Sequence, residues 1–188
     1  MKSYLKILAV LVLLSSCQEN KKEAENLEPI IKKENTSKKK DEAQKPEKML
    51  TEADFENFFP KVIDDYNLIN VSTSVKSGIG TGSYIKGKDY GNIMHYYVTD
   101  GYRKGSAAIR NFEDAYQSEQ KTWPDGSERI IKDRDGYKTV ALLREKYKTY
   151  KISTLYNNRF ELTVEGHEKA DELWTYLKQA DLKILDID

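Results

Sequence analysis

The 188-residue chain has one cysteine, two histidines and no apolar run of bilayer length, and its 31 Lys and Arg are matched by 31 Asp and Glu. Each scarcity removes a class of mechanism. Cys17 is the sole cysteine, so residues 18–188 hold no thiol for a disulfide, a cysteine nucleophile or a thiolate metal site. His95 and His167 stand alone, without H-x-H or H-x-x-x-H spacing, so neither a metal nor a cofactor is expected. The catalytic patterns G-x-S-x-G and H-E-x-x-H do not occur. Residues 1–16 hold two lysines and no acid, and residues 18–50 nine lysines and eight acids, which leaves 20 basic and 23 acidic side chains in residues 51–188. A net of −3 there offers no grip for a phosphate backbone, and nucleic acid is not expected as a partner.

What is present begins with MKSYLKILAVLVLLSSC: two lysines, an apolar run from Ile7 to Leu14, two small residues and the cysteine. Eight apolar residues make about 12 Å of helix, far short of the roughly 20 residues that a bilayer crossing takes. Length and flanks therefore predict an export signal over residues 1–16. Leu14-Ser15-Ser16-Cys17 resembles the lipobox of bacterial lipoproteins. The resemblance implies a diacylglyceryl thioether on Cys17, cleavage between Ser16 and Cys17, acylation of the new amine, and hence a membrane as partner through the lipid. Two or three acyl chains hold a protein on a membrane where one gives marginal binding. The residues after Cys17, Gln-Glu-Asn-Lys-Lys-Glu, lack Asp at the second position. In this they are similar to lipoproteins passed on to the outer membrane, which implies a cell-envelope location, periplasmic or surface-facing.

Residues 18–50 are charged at 17 of 33 positions and almost free of apolar side chains. Too little surface can be buried there to offset chain entropy, and residues 17–50 are predicted to be a disordered tether behind the lipidated cysteine. Its root-mean-square reach would be about 30 to 35 Å.

Residues 51–188 read as one globular α+β domain, an antiparallel β-meander with about three helices packed on one face. A capping box at Thr51-Glu-Ala-Asp54 opens a short helix that carries Phe55, Phe58 and Phe59 and stops at Pro60. Weak strand follows from Val62 to Val75. Gly78, Gly80 and Gly82 have neither phosphate-loop spacing nor a following helix; on an extended strand they leave one face bare for a neighbouring group. Asn92 to Asp100 reads as a strand with Met94, Tyr96 and Val98 on one side and Ile93, His95 and Tyr97 on the other. Ala108, Ile109, Phe112, Ala115 and Tyr116 form the stripe of a helix over about 104–120.

The last third predicts strands near 127–133, 137–145, 148–156 and 159–165, the first two joined by Asp135-Gly136. A three-residue loop, Asn157-Asn158-Arg159, keeps Ile152 and Tyr156 on the face of Phe160, Leu162 and Val164, pairing Tyr156 with Phe160. A C-terminal amphipathic helix over about 168–179 carries Ala170, Leu173, Trp174 and Leu177.

For function, the unusual feature is tyrosine. Tyr84, Tyr90, Tyr96, Tyr97 and Tyr102 fall within 19 positions around the glycine-rich strand. Amphipathic rings suit a binding surface, and Tyr84, Tyr90, His95, Tyr97 and Tyr102 are the candidate contacts for an envelope protein, peptide or glycan. The expectation is a non-enzymatic binding module with no catalytic residues. Two alternatives stand beside it: a hydrolase of envelope polymers using carboxylates such as Asp100 and Glu161, and an immunity or inhibitor lipoprotein. The Asp133-Arg134-Asp135-Gly136 run lacks the oxygen ligands of a calcium loop and reads as a turn.

Overall fold

In the computed structural model, which describes residues 48–102 and 106–187, the chain becomes a domain slightly before the predicted boundary. Leu50 is buried in the core and its N–H donates to Asp100, so the last residues assigned to the tether belong to the fold. The predicted signal segment, Cys17 and the predicted tether up to residue 47 lie outside the described residues.

The capping box forms as expected: the Thr51 hydroxyl accepts from the Asp54 N–H while the Asp54 carboxylate accepts from the Thr51 N–H. It starts helix α1, Glu52–Phe58. Eight antiparallel strands follow: β1 (Val62–Ile63), β2 (Tyr66–Ser74), β3 (Ile79–Lys86), β4 (Ile93–Asp100), β5 (Glu128–Arg134), β6 (Tyr137–Arg144), β7 (Thr149–Tyr156) and β8 (Phe160–Gly166). Helix α2 (Ala107–Gln117) separates β4 from β5, and helix α3 (Ala170–Leu177) follows β8. Among the described residues no helix is long and apolar enough to cross a membrane.

The single sheet has the order β1-β2-β3-β4-β8-β7-β6-β5. Two four-stranded meanders thus meet at their last strands rather than forming one continuous meander. Both meanders make the same joint between their second and third strands. A three-residue 3-10 turn ends in a left-handed residue, Gly78 (φ 66°) in the first and Lys148 (φ 51°) in the second.

Registers follow local chemistry. Asp135 and Gly136 both have positive φ, the geometry of the tight hairpin turn that this dipeptide favours. Asn157 and Asn158 also adopt positive φ, the three-residue loop forms, and Tyr156 pairs with Phe160, Thr154 with Leu162 and Ile152 with Val164.

Because strand side chains alternate, the sheet has a packed face and an outer face. On the packed face Tyr96, Val98, Ile152, Leu162 and Val164 are fully buried beneath α1 and α3. The glycine strand is explained here. A Cβ on Gly80 would stand 2.5 Å from Phe55 Cδ1, and one on Gly82 would stand 2.8 Å from Phe59 Cδ1. The bare face predicted for β3 is therefore filled by the aromatic rings of α1 and of its C-cap Phe59; Phe58 and Phe59 pack edge-on with Tyr96 at centroid separations of 5.5 and 5.9 Å. On α3, Trp174 packs at a tilt against Tyr137 and donates its indole N–H to Asp135 at 2.9 Å, so the turn acid anchors a helix.

One expectation needs correction. Helix α2 does not join α1 and α3: it lies across β6, β7 and β8 on the outer face, where its Phe112 is buried among Val140, Leu142 and Ser153.

Candidate functional site

The five candidate contacts are separated by strand alternation. Tyr84 is fully buried on the packed face and donates its hydroxyl to the Pro60 carbonyl at 3.0 Å. This corrects its assignment to a surface: even-numbered residues of β3 and β4 face α1 and α3. Tyr96 is buried beside it, with its hydroxyl donating to the Leu177 carbonyl at 2.8 Å. Tyr90 is 75 % exposed in the turn between β3 and β4, away from the sheet face. Tyr102 follows β4, partly buried. His95 and Tyr97 do stand together on the outer face, with ring centroids 5.9 Å apart.

Register extends that pair into rows across the outer face. One row runs Ser83, His95, Glu165, Lys151, Leu142, Arg129, and the next Thr81, Tyr97, Thr163, Ser153, Val140, Ile131. Within the rows, Ser83 Oγ lies 3.1 Å from His95 Nδ1 and Ser153 and Thr163 share a 2.7 Å hydroxyl contact, and from the next row Arg144 Nη1 meets Glu165 Oε1 at 2.8 Å.

Helix α2 covers only the β6–β8 side of these rows and does not seal against them. A cavity of about 210 Å³ remains beneath it, lined by Phe112 and Ala115 of the helix, Val140 and Leu142 of β6, and the polar Lys151, Ser153 and Glu161. Trp123, from the segment after α2, closes one side and stacks on the Arg129 guanidinium at 4.9 Å. The cavity shares Lys151 and Glu161 with an open hollow that reaches Tyr97, Thr163 and Glu165. It shares Trp123 and Leu142 with a second hollow reaching Arg144 and Tyr147. Together they form a furrow along the outer face with apolar walls and a polar floor.

No family model, curated protein or solved structure matches the chain. What the furrow can do must therefore be read from its own groups.

Burial holds the Glu161 carboxyl above the usual carboxylate range, offset in part by Lys151 and by a hydrogen bond from Ser153. Burial also raises the Tyr97 phenol, with Glu165 adding to the shift and Arg144 opposing it. Ser83 and His95 form a hydroxyl–imidazole pair, but the carboxylate next in the row, Glu165, is bound by Arg144. Among the described residues no three His, Asp or Glu side chains stand close enough to share a metal ion.

The two carboxylates named for a hydrolytic reading do not converge. Glu161 is in the furrow, whereas the Asp100 side chain is 1 % exposed on the packed face. Arg159 grips Asp100 with two hydrogen bonds, from Nε at 2.7 Å and Nη2 at 2.8 Å, and also donates to the Lys48 carbonyl. Asp100 is thus a structural anchor where the chain enters the domain.

Sequence reasoning missed Lys151, Arg129, Trp123 and Phe112 as furrow residues. The hairpin register already placed Lys151 and Ser153 on the outer face opposite Glu165 and Thr163, so part of the floor was legible. The wall was not, because it depends on where α2 docks.

Proposed function

We propose that this protein is a lipid-anchored cell-envelope module that binds its partner or ligand in the outer-face furrow, without catalysis of its own. The observation that carries the reading is the furrow itself: half-buried charged and aromatic side chains left accessible beside a helix that only partly covers them. Sites of this kind, apolar with a few converging polar groups, are where small ligands and anchor side chains bind. The anchor half of the proposal rests on Leu14-Ser15-Ser16-Cys17 and the charged segment behind it. An outer-membrane position, facing the periplasm or the surface, agrees with the residues after Cys17.

Two experiments test the halves separately. Radiolabelled palmitate should enter the wild type and not Cys17→Ala, and normal processing of that variant would end the anchor reading. A photo-crosslinking residue at position 97 should capture a ligand or partner in intact envelopes, while the same group at position 90 captures none. Equal yields from both positions would show that the furrow is not the binding site.

A further inference from the structure

Among the charged side chains of the furrow, Lys151 and Glu161 attract each other without being bonded. Lys151 and Glu161 both line the cavity and the hollow beside it, yet no direct ion pair joins them, while the neighbouring Glu165 is taken by Arg144 at 2.8 Å. Register gives the reason. Lys151 lies opposite Glu165 and Glu161 opposite Leu155, so their backbones stand four residues apart along the strands, about 13 Å. The hydroxyl pair of Ser153 and Thr163 forms the floor between them. Two long side chains thus reach over one polar floor from opposite ends, and Phe112, Val140 and Leu142 supply an apolar wall above it. The cavity, about 210 Å³, is smaller than the roughly 300 to 1,000 Å³ of pockets that take drug-sized molecules.

We infer that this cavity binds a free α-amino acid with an apolar side chain, its ammonium group on Glu161, its carboxylate on Lys151 and its side chain against Phe112, Val140 and Leu142. The inference rests on the furrow being the binding site proposed above. A ligand of one charge would leave the other protein charge desolvated and unpaired, which is costly. A zwitterion satisfies both with charge-assisted hydrogen bonds. The Ser153 hydroxyl, itself in contact with Thr163, bonds the Glu161 carboxylate and holds it in place for the ammonium group. Selectivity for an apolar side chain comes from Phe112, Ala115, Val140 and Leu142, while Asn111, Trp123 and Arg129 line the rest of the cavity.

The test is calorimetric titration of the full mature chain in detergent with L-leucine, D-leucine and L-phenylalanine. Two single-charge controls are 4-methylpentanoate, which lacks the ammonium group, and 3-methylbutylamine, which lacks the carboxylate. At least one amino acid should bind, with each control about tenfold weaker or more. Glu161→Gln should weaken the amino acid about tenfold and leave 4-methylpentanoate unchanged. Lys151→Met should weaken it similarly and leave 3-methylbutylamine unchanged. Ala115→Phe, which fills the cavity from the helix side, should abolish binding of all three amino acids, and melting curves of each variant confirm that it is folded. Controls that bind as tightly as the amino acid overturn the inference. Silent amino acids together with position-97 crosslinks that Glu161→Gln removes overturn the amino-acid assignment and leave the furrow as the site. Silent amino acids with no furrow crosslink overturn both.

Discussion

The two faces of the sheet are made by the same strands, residue by residue in alternation, and they are built differently. On the packed face, glycine and aromatic residues are complementary: Gly80 and Gly82 are flat where Phe55 and Phe59 press against them, and Tyr96 fits among Phe58, Phe59 and the last helix. There the buried ion pair of Asp100 with Arg159 is joined by two hydrogen bonds. On the outer face the charges are only half-buried, one helix covers part of the surface, and a cavity persists beneath it. On the function proposed above, stability and binding are segregated by strand parity. Changes at packed-face positions should cost folding, and changes one residue along should alter the furrow at little cost.

The sharpest break in that comparison would come from Arg159. Arg159→Ala strands a carboxylate that is 1 % exposed, and a loss of about 3 to 5 kcal/mol is expected in chemical denaturation. A loss below about 1 kcal/mol would mean that Asp100 finds water or a proton on its own. Next comes Gly80→Val, which forces a side chain into the Phe55 ring. The expected cost is about 3 kcal/mol, and a tolerated valine would show that α1 can lift away from the sheet.

On the outer face, Arg144→Ala removes a pair whose side chains are 42 % and 22 % exposed. It should cost less than about 1 kcal/mol and more at low than at high salt. The smallest effect is expected from Glu161→Gln. Burial raises the folded carboxyl above its unfolded value, so the wild type keeps that group's contribution below about pH 4 and loses it as pH rises through the folded value. The glutamine variant should match the wild type at pH 4 and melt at or above it at pH 7. A lower melting temperature at pH 7 would show that Lys151 outweighs burial.

Much of the packed face could be read in advance because it is local. The Thr51–Asp54 capping box, the Asp135-Gly136 turn and the Asn157–Arg159 loop each set a register or a helix start from a few adjacent residues. Once the loop length was fixed, period-two alternation sorted Ile152, Leu162 and Val164 into the core. Tyr84 shows the limit. Its composition suited a binding surface, but its parity on β3 matches that of Gly80 and Gly82, and α1 covers that face. The stripe of α2 was equally clear, yet a stripe states that a helix has an apolar side and not which sheet face receives it.

The sequence by itself determined an α+β domain with most of its turns, and it carries the lipobox-like tetrapeptide and the charged segment behind it, since all of these depend on neighbours within a few residues. Only the tertiary structure decided that the two meanders join at β4 and β8, that α2 crosses to the outer face, and that Lys151 and Glu161 come to share one cavity. Those depend on contacts between segments far apart in the chain, where apolar area drives the packing without direction and the shape of the opposing surface selects the partner.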